Sequence, residues 1–270
     1  MIRLDSRAFI RAVAIGCGVL LSACAVLEDP SRESPRTVPG GVVVERYQKE
    51  QGLRREGSSF WAVEGALEIE TPDQGRRNRI ELLGSGWSRV RMRVRGPFRE
   101  VAAELLARDG RVRWVDPDKR MVTEVPATSE GLHHLIGVPI PPERLFAWIM
   151  GQAEAVEPAA TLPLEPSGAR IESRSGERLW LDPESGRIRE RTGTVAPGSR
   201  YRTVYTWPDP LARRASAHLM PETILVTLDQ PKIRMEFVLR NWRFPSEGPT
   251  KAQFEQALDA GFTLSRPLEP

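Results

Sequence analysis

The chain of 270 residues predicts an α+β domain in which amphipathic helices cover the apolar face of a large, curved antiparallel sheet. Three observations support this fold class. Apolar and polar residues alternate with a period of two in many runs, which is typical of strands with one buried face. Turn sequences rich in Gly, Pro and Asp separate these runs, and a few segments with helical periodicity interrupt them.

The first 23 residues predict a lipoprotein signal peptide. Arg3, Arg7 and Arg11 form a basic start, and the apolar stretch 12–21 is too short to span a bilayer as a helix. It leads into the tetrapeptide LSAC at 21–24, which resembles a bacterial lipobox, where the chain is cut before the cysteine and the cysteine is acylated. The alternative is an ordinary secretory signal that happens to contain a cysteine.

Cysteine usage supports acylation at Cys24. The chain has two cysteines, and Cys17 lies in the segment that cleavage would remove. Cys24 would then be the sole cysteine of an exported protein, so no intrachain disulfide is possible. The residue after it is Ala25, which by resemblance to enterobacterial sorting favours the outer membrane. We therefore expect a bacterial outer-membrane protein that is lipid-anchored and faces the periplasm.

The remaining chain divides into a tether and one domain. Residues 24–40 join the acylated cysteine to a segment rich in Pro, Ser and charge, which predicts a flexible tether. Residues 41–270 are long enough for one domain with its own core. Removing residues 1–23 takes three arginines and one aspartate from the 39 basic and 36 acidic residues, which leaves a formal charge of +1. This net charge gives no indication of a nucleic-acid partner.

Five runs carry the clearest strand pattern. In the segment 89–95, RVRMRVR, arginines occupy one face and Val90, Met92 and Val94 the other. The same alternation occurs at 61–70, 110–116, 200–207 and 232–240. The turn sequences PDQG, RDG, DPDK, DPESG and LDQP separate the runs, which predicts one antiparallel sheet with a polar and an apolar face.

Segments with helical periodicity lie at 42–56, 128–138, 141–151 and 250–262. In the third segment, Pro142 suits the first helical turn and Gly151 suits the end of the helix. The last segment predicts an extra C-terminal helix at about 250–260, with Thr250 as its N-cap.

A sheet of this length tends to curl, and a curled sheet covered by helices encloses an apolar space. Periodicity does not reveal whether side chains fill that space, so a solid core and a lipid cavity both remain open at this point. The candidate cavity-lining residues are Val63, Leu67, Met92, Trp114, Leu145, Trp148, Met235 and Phe237.

No catalytic motif is present in the sequence, which lacks HExxH, GxSxG, GxxxxGK[ST] and GxGxxG patterns. The adjacent His133 and His134 would point about 100° apart on a helix. Only His218 remains to assist them, which does not favour a metal site. Aromatic residues interleaved with the arginines, as in proteins that stack nucleotide bases, are missing. We therefore expect no enzyme, no cofactor, no metal and no nucleic-acid partner.

The segment 89–101 raises two further alternatives. Its outward arginines form either a solvated sheet face or a surface for an acidic partner or anionic headgroups. At the turn that follows, Phe98 next to Pro97 either packs against a neighbouring loop or stays exposed. The candidate contact residues are Arg91, Arg93, Arg95 and Arg99.

The sequence GVPIPPERLFAWIMG at 137–151 resembles the mid-chain signature of the LolB family, the outer-membrane receptors of bacterial lipoprotein localisation. Other landmarks follow in the same order: the lipobox, VEGALEIE, GPF in place of an Asn/Gly-Pro-Leu turn, YRTVYTW, MPETILVTL and VLRNWRF. The resemblance covers most of residues 44–244. Residues 153–200 depart from the family pattern, and LWLDPESG within them is more similar to the carrier LolA and its relatives.

This resemblance implies an unclosed antiparallel β-barrel lidded by helices, with an apolar cavity for the acyl chains of lipoproteins. It implies an acceptor, expected to be a monomer, that takes acylated lipoproteins from a LolA-like periplasmic carrier and inserts them in the outer membrane. Phe98 matches an exposed family leucine implicated in delivery, so Phe98 and Pro97 are expected to insert in the membrane while the flanking arginines contact headgroups. Without an ATP-binding motif, the transfer must follow a gradient of affinity.

Two other functions remain open. The departures at 153–200 and after residue 244 favour a related outer-membrane lipoprotein that binds another lipid or acts as an envelope assembly factor. A hydrolase on a lipoprotein anchor is the third possibility, and it lacks a recognisable pair of nucleophile and base.

Overall fold

The computed structural model describes residues 40–57, 59–153, 169–173, 176–196, 198–209, 220–248, 254 and 262–267. Its helices are α1 (Gly40–Gly57), α2 (Ser129–Ile136) and α3 (Pro142–Ile149). Its strands are β1 (Phe60–Glu70), β2 (Gly75–Ser85), β3 (Arg89–Arg95), β4 (Val101–Arg108), β5 (Arg111–Asp116), β6 (Met121–Pro126), β7 (Ala169–Glu172), β8 (Arg178–Leu181), β9 (Ile188–Ala196), β10 (Ser199–Thr206), β11 (Thr223–Leu228), β12 (Ile233–Arg243) and β13 (Thr263–Ser265).

Within the described residues, these 13 strands form a single sheet in the order β13-β6-β5-β4-β3-β2-β1-β12-β11-β10-β9-β8-β7. The sheet is unclosed, since β13 and β7 lie at its two ends, and helices cover it. The predicted fold class is therefore confirmed. The five strands and the first three helical segments predicted from periodicity correspond to β1, β3, β5, β10, β12 and α1 to α3.

The inward face of the sheet is apolar because alternate residues of each strand are apolar. On β12 every second residue from Ile233 to Leu239 is buried. The register sets Leu67 of β1 opposite Phe237 and Ile69 opposite Met235, so large side chains of neighbouring strands meet on this face. All of these except the half-buried Ile69 are buried in one cluster that also holds residues of the helices.

The helices reach the same cluster through their apolar stripes. Helix α1 contributes Val43, Val44 and Tyr47, all buried, and α3 contributes Phe146 and Trp148 with their apolar neighbours. Local chemistry sets the starts of α2 and α3. The Thr128 side chain accepts a hydrogen bond from the Gly131 amide at the start of α2, and α3 begins at Pro142, as predicted.

A short turn joins two neighbouring strands on the β3–β6 side of the sheet. The β4–β5 connection is Asp109-Gly110, and both residues have positive φ. This conformation is typical of a two-residue type I′ hairpin, in which Asp-Gly is a preferred pair. The RDG motif therefore forms a turn between two strands, as the sequence predicts.

The C-terminal strand β13 was not predicted. It pairs in parallel with β6, through a Thr263 amide that donates to the Arg120 carbonyl at 2.9 Å, whereas the other pairings in the sheet are antiparallel. Arg266 adds an ion pair with Glu124 at 3.4 Å. The chain after the last long strand thus returns to cover the β6 edge, which would otherwise expose unpaired backbone groups.

Some predictions fall on parts of the chain that the structure does not describe. The signal peptide, Cys24 and the tether up to residue 39 lie outside the described residues, as does most of the predicted helix at about 250–260. Phe254, the described residue of that segment, is helical and buried. In the described part of the chain, none of the helices combines the length and the apolar character needed to cross a membrane.

The close approach of β2 to Trp61 gives a first prediction. A Cβ at Gly84 would lie 2.1 Å from the Trp61 ring, which is fully buried and donates from Nε1 to the Gly86 carbonyl at 2.7 Å. We expect Gly84→Ala to lower the free energy of unfolding by about 1–3 kcal/mol because the ring cannot move without leaving its site. Urea unfolding followed by tryptophan fluorescence measures the change.

The matched control is Gly75→Ala on the same strand. A Cβ at Gly75 meets nothing closer than 3.7 Å, so this variant should unfold within about 0.5 kcal/mol of the unchanged protein. Equal destabilisation by both variants would contradict a specific role for the contact with Trp61.

Candidate functional site

The turn between β3 and β4 holds Phe98 away from the rest of the protein. The Gly96 amide donates to the Glu100 carbonyl at 2.9 Å, and the Arg99 amide donates to the Gly96 carbonyl at 3.1 Å. Pro97 occupies the first central position of this tight turn, where its fixed φ is favourable. Arg99 has φ of 68°, as expected for the last residue of a three-residue hairpin loop. The turn is therefore well defined, and its tip carries a phenylalanine that is 91% exposed.

The predicted arginine contacts lie on the outward face, but they differ in their partners. Arg91 binds both carboxylate oxygens of Glu104, at 2.7 and 2.9 Å, and Arg93 binds the same carboxylate at 2.9 Å. Arg95 binds both oxygens of Glu81, at 3.0 and 2.6 Å. Three of the four predicted residues are thus ion-paired within the sheet, with two carboxylates for three arginines.

The fourth predicted residue, Arg99, is exposed beside Phe98 and makes no ion pair within the described residues. Its backbone carbonyl accepts a hydrogen bond from Arg95 at 3.1 Å, which links the turn to β3. Among the four predicted residues, Arg99 is therefore more available to an external partner than Arg91, Arg93 and Arg95 of β3.

A pocket of about 590 Å³ opens beside α3. Its volume lies within the range of about 300–1,000 Å³ that is usual for sites that bind small molecules. Apolar lining comes from Trp148, Ala147 and Pro141 near α3 and from Trp87 in the β2–β3 turn. Since Trp87 precedes β3 and Phe98 follows it, the pocket and Phe98 lie near opposite ends of that strand, which spans about 23 Å.

The predicted cavity residues are mostly covered by other side chains. Val63, Leu67, Met92, Leu145, Trp148, Met235 and Phe237 are buried in the cluster beneath the helices, and Trp114 is half-buried against it. Trp148 belongs to both the cluster and the lining of the pocket. In this structure the apolar face is therefore occupied by helices, and the open volume lies at its margin.

A buried polar network forms one wall of the pocket. The Glu177 carboxylate accepts a hydrogen bond from the Tyr201 hydroxyl and pairs with Arg191 at 3.5 Å. Arg191 also donates to the Gln152 carbonyl at 2.6 Å, and Arg144 of α3 donates to the Tyr201 hydroxyl at 3.2 Å. Burial, together with the negative charge of Glu177, raises the pKa of Tyr201, so the hydroxyl remains a donor at neutral pH.

Helix α1 is joined to the end of α3 by polar contacts. The Gly151 carbonyl accepts from Gln51 at 3.1 Å and from Arg54 at 3.0 Å, and the Ala153 amide donates to the Gln51 side chain at 3.2 Å. The Arg54 guanidinium lies 4.3 Å from the centre of the Trp207 ring, and burial lowers its pKa to about 10. These contacts fix the two helices to each other at the margin of the apolar face.

Several residues of the site were missed by sequence reasoning. Glu177 and Arg191 fall in the segment that departs from the family pattern, and neither a motif nor periodicity singles them out. Arg144 lies in the predicted helix, yet its bond to Tyr201 depends on tertiary packing. In the described part of the chain, no three His, Cys, Asp or Glu side chains come close enough to hold a metal ion.

The family model described as outer membrane lipoprotein LolB matches residues 59–242. No curated protein matches the sequence. The chain is similar in fold to solved structures that include the following three, each at less than 25% identity. A domain named for outer membrane lipoprotein sorting, from Vibrio parahaemolyticus, has a TM-score of 0.52 and 13% identity, and the match covers 78% of this chain and 95% of that one.

A LolA superfamily protein from Nitrosomonas europaea has a TM-score of 0.50 and 11% identity, with 78% and 97% of the two chains covered. A DUF1329 family protein from Desulfovibrio piger has a TM-score of 0.53 and 9% identity, with 81% and 98% covered. These likenesses concern the fold alone.

The buried pair at the pocket wall gives a second prediction. Glu177→Ala removes the carboxylate that faces Arg191, whose side chain is 1% exposed, and so leaves a buried charge without its counter-ion. We expect a loss of about 3–5 kcal/mol in the free energy of unfolding, measured by urea titration.

Glu190→Ala is the control, because Glu190 forms a two-point pair with Arg202 on the outward face of the same sheet. That pair is largely solvated, so its loss should cost about 1 kcal/mol or less. If the Glu177 variant is as stable as the Glu190 variant or more stable, burial does not determine how much these ion pairs contribute to the free energy of unfolding.

Proposed function

The chain belongs to the LolB family of outer membrane lipoproteins, and we propose that it accepts lipoproteins from a LolA-like periplasmic carrier and inserts them in the outer membrane. Membership supports the general part of this function, a lipoprotein-binding role in lipoprotein localisation. The observation that carries the acceptor role is the pocket beside α3, which is lined by Trp148, a member of the cluster on the helix-covered apolar face.

Acyl chains enter at this pocket and extend under the helices as α1 and α3 move away from the sheet. Each methylene group that leaves water contributes about 0.8 kcal/mol, which offsets the helix–sheet contacts that are lost. Apolar side chains such as Met92 and Phe237 then contact the lipid instead of the helices. Hydrocarbon replaces hydrocarbon on the apolar face, so cargo can be exchanged by binding alone, without covalent chemistry.

Release is assisted by Phe98. Its ring projects from a turn whose backbone is held by two hydrogen bonds, so insertion into the membrane needs no rearrangement of the sheet. Pro97 limits the turn to one backbone conformation and enters the interface with the ring. The wedge loosens the lipid packing at the place where cargo leaves the protein.

Acylation at Cys24 anchors the domain to the outer membrane on its periplasmic side, and the segment up to residue 40 acts as the tether. The domain acts as a monomer, because receipt needs only the pocket beside α3 and release needs only the turn that carries Phe98. These parts of the function rest on the sequence, since Cys24 lies outside the described residues.

A second candidate function is the binding of another lipid on the same fold. The charged wall of the pocket favours it, because Arg144, Glu177 and Arg191 suit a polar lipid group better than an acyl chain. Depletion of the protein separates the two functions. Accumulation of lipoproteins in the inner membrane supports the acceptor role, whereas normal lipoprotein sorting supports the second candidate.

The pocket gives a third prediction. Ala147 lines the pocket from a helix position that is only half-buried, so Ala147→Phe should fill the pocket and leave the core unchanged. We expect the Kd for a fluorescent fatty acid to rise by about tenfold or more, because the ring occupies the entrance. Fluorescence titration measures the affinity, and circular dichroism verifies the fold.

Gln48→Phe introduces the same ring at an exposed position of α1 and should bind the probe like the unchanged protein. If a folded Ala147→Phe protein also binds with unchanged affinity, the pocket is not the entrance for acyl chains.

The turn gives a fourth prediction. Phe98→Glu replaces an apolar ring with a charge that is costly to place in a membrane, so release into liposomes should slow by about tenfold or more, while folding and receipt of cargo are retained. The assay follows a labelled lipoprotein from the carrier to the protein and then to liposomes.

Leu53→Glu changes an exposed apolar residue of α1 that is 41% exposed, and it serves as the control for added charge. Transfer to liposomes at the normal rate by the Phe98→Glu protein would rule out the wedge.

A further inference from the structure

We propose that the outward face of the sheet carries a binding site for the phosphate groups of lipid headgroups, in addition to the apolar wedge. The site, here called the arginine groove, is a depression of about 440 Å³ beside the β3–β4 turn. Five arginines and two glutamates line it, so its formal charge is +3. These residues are Arg77, Arg79, Arg95, Arg99, Arg240, Glu64 and Glu81. The proposal rests on the proposed function in that it assumes a membrane as the working surface of the protein.

The two carboxylates of the arginine groove are already engaged. Glu81 holds Arg95 with both oxygens, and Glu64 pairs with Arg243 at 3.0 Å. The remaining four arginines are exposed, and within the part of the chain that the structure describes none of them makes an ion pair. Four of the five arginines thus line one depression without an ion pair to another described residue, although the register sets Glu64 opposite Arg240 and Glu68 opposite Arg77.

The strand register makes this arrangement unfavourable for the isolated sheet. Arg79 on β2 lies directly opposite Arg95 on β3 on the same outward face. Like charges at such positions destabilise a pair of strands, and only one of these two arginines has a carboxylate partner. An external anion would relieve the repulsion that the sheet leaves in place.

The neighbouring arginines show that the sheet can supply carboxylate partners elsewhere on the same face. Arg91 and Arg93 of the same outward row share the buried carboxylate of Glu104. Arg111 and Arg113, farther along the sheet, share Glu124 in the same manner. Among the described residues, four arginines without an ion pair thus lie together at the groove, whereas others, such as Arg178 on β8 and Arg200 on β10, lie outside it.

Phosphate is the anion that fits these groups. The planar guanidinium fork binds phosphate oxygens at two points, and several forks around one depression match a group with several charged oxygens. The lipid headgroup is the source that position favours, because Arg99 is adjacent to Phe98 in the turn and the Arg95 side chain donates to its carbonyl. With Phe98 in the apolar region, the groove lies at the level of the headgroups.

Vesicle binding tests the proposal with the full chain carrying Cys24→Ser, so that no acyl anchor holds it to the bilayer. The test variant is Arg79→Glu/Arg240→Glu. The control is Arg178→Glu/Arg200→Glu, which changes the net charge equally at exposed positions on β8 and β10 outside the groove. Co-sedimentation is measured with vesicles of phosphatidylcholine and with vesicles that also contain phosphatidylglycerol.

We expect the unchanged chain to prefer the anionic vesicles and the groove variant to bind them about tenfold more weakly or worse. The affinity of the control variant for these vesicles should fall by about twofold or less, because salt screens the effect of its changed charges on the groove. Equal losses in both variants, or full binding by the groove variant, would overturn the proposal. Displacement of the unchanged chain by millimolar inorganic phosphate at constant ionic strength would assign the groove to a free anion and overturn the headgroup source.

The outcome for the proposed function is separate. The groove variant should still bind the fluorescent fatty acid as the unchanged chain does, since the groove and the pocket beside α3 share no lining residue. If the unchanged chain does not bind the fatty acid, that result contradicts the acceptor role but does not affect the conclusion from the vesicle experiment.

Discussion

The structure depends on one constraint, which is that the apolar face of a single unclosed sheet must be kept from water. A closed barrel would bury this face against itself, but here α1 and α3 cover it and join one cluster with the strands. The helices are held to each other through the Gly151 carbonyl, which Gln51 and Arg54 share. In the proposed function, stability and lipid binding use the same surface, and each methylene bound by the sheet replaces one supplied by a helix.

The same constraint explains why the outward face is so rich in charge. A sheet with only one covered face must present polar side chains on the other, and here that face is rich in arginine and glutamate. Glu104 and Glu124 each bind two strand arginines, so each carboxylate balances half of the formal charge of its pair. Burial opposes this balance at Glu124, yet the hydrogen bonds and charges of Arg113 and Arg111 hold the pKa of its carboxyl below the usual value. Where such sharing stops, beside the β3–β4 turn, positive charge remains available.

The parts of the fold that sequence could predict are those determined by neighbours along the chain. Alternation identified β3 because its faces differ at every residue, and Pro142 marked the start of α3 because a helix tolerates proline there. The parallel strand β13 was not predictable, since its few residues show no periodicity and its partner β6 lies far away in the sequence. The arginines were recognised as a row, but which of them are paired depends on cross-strand register. The exposure of Phe98 was left open by the sequence, because only the folded turn shows that its side chain is exposed.

The position of the pocket relative to Phe98 constrains how an acceptor of this kind would work. The ring and the arginine groove lie at the end of β3, whereas Trp87 and the pocket lie near its start, about 23 Å away. Burial of one phenylalanine gives about 1.5–3 kcal/mol, which alone corresponds to a Kd weaker than about 1 mM. For a protein tethered through Cys24, the local concentration of membrane already lies near this range, so the turn serves to orient the domain rather than to recruit it. With the Phe98 end toward the bilayer, the pocket opens toward the periplasm, from which a soluble carrier arrives. In the proposed function, cargo received there passes along the apolar face beneath the helices to reach the membrane, and this path requires a cover of separable helices rather than a closed sheet.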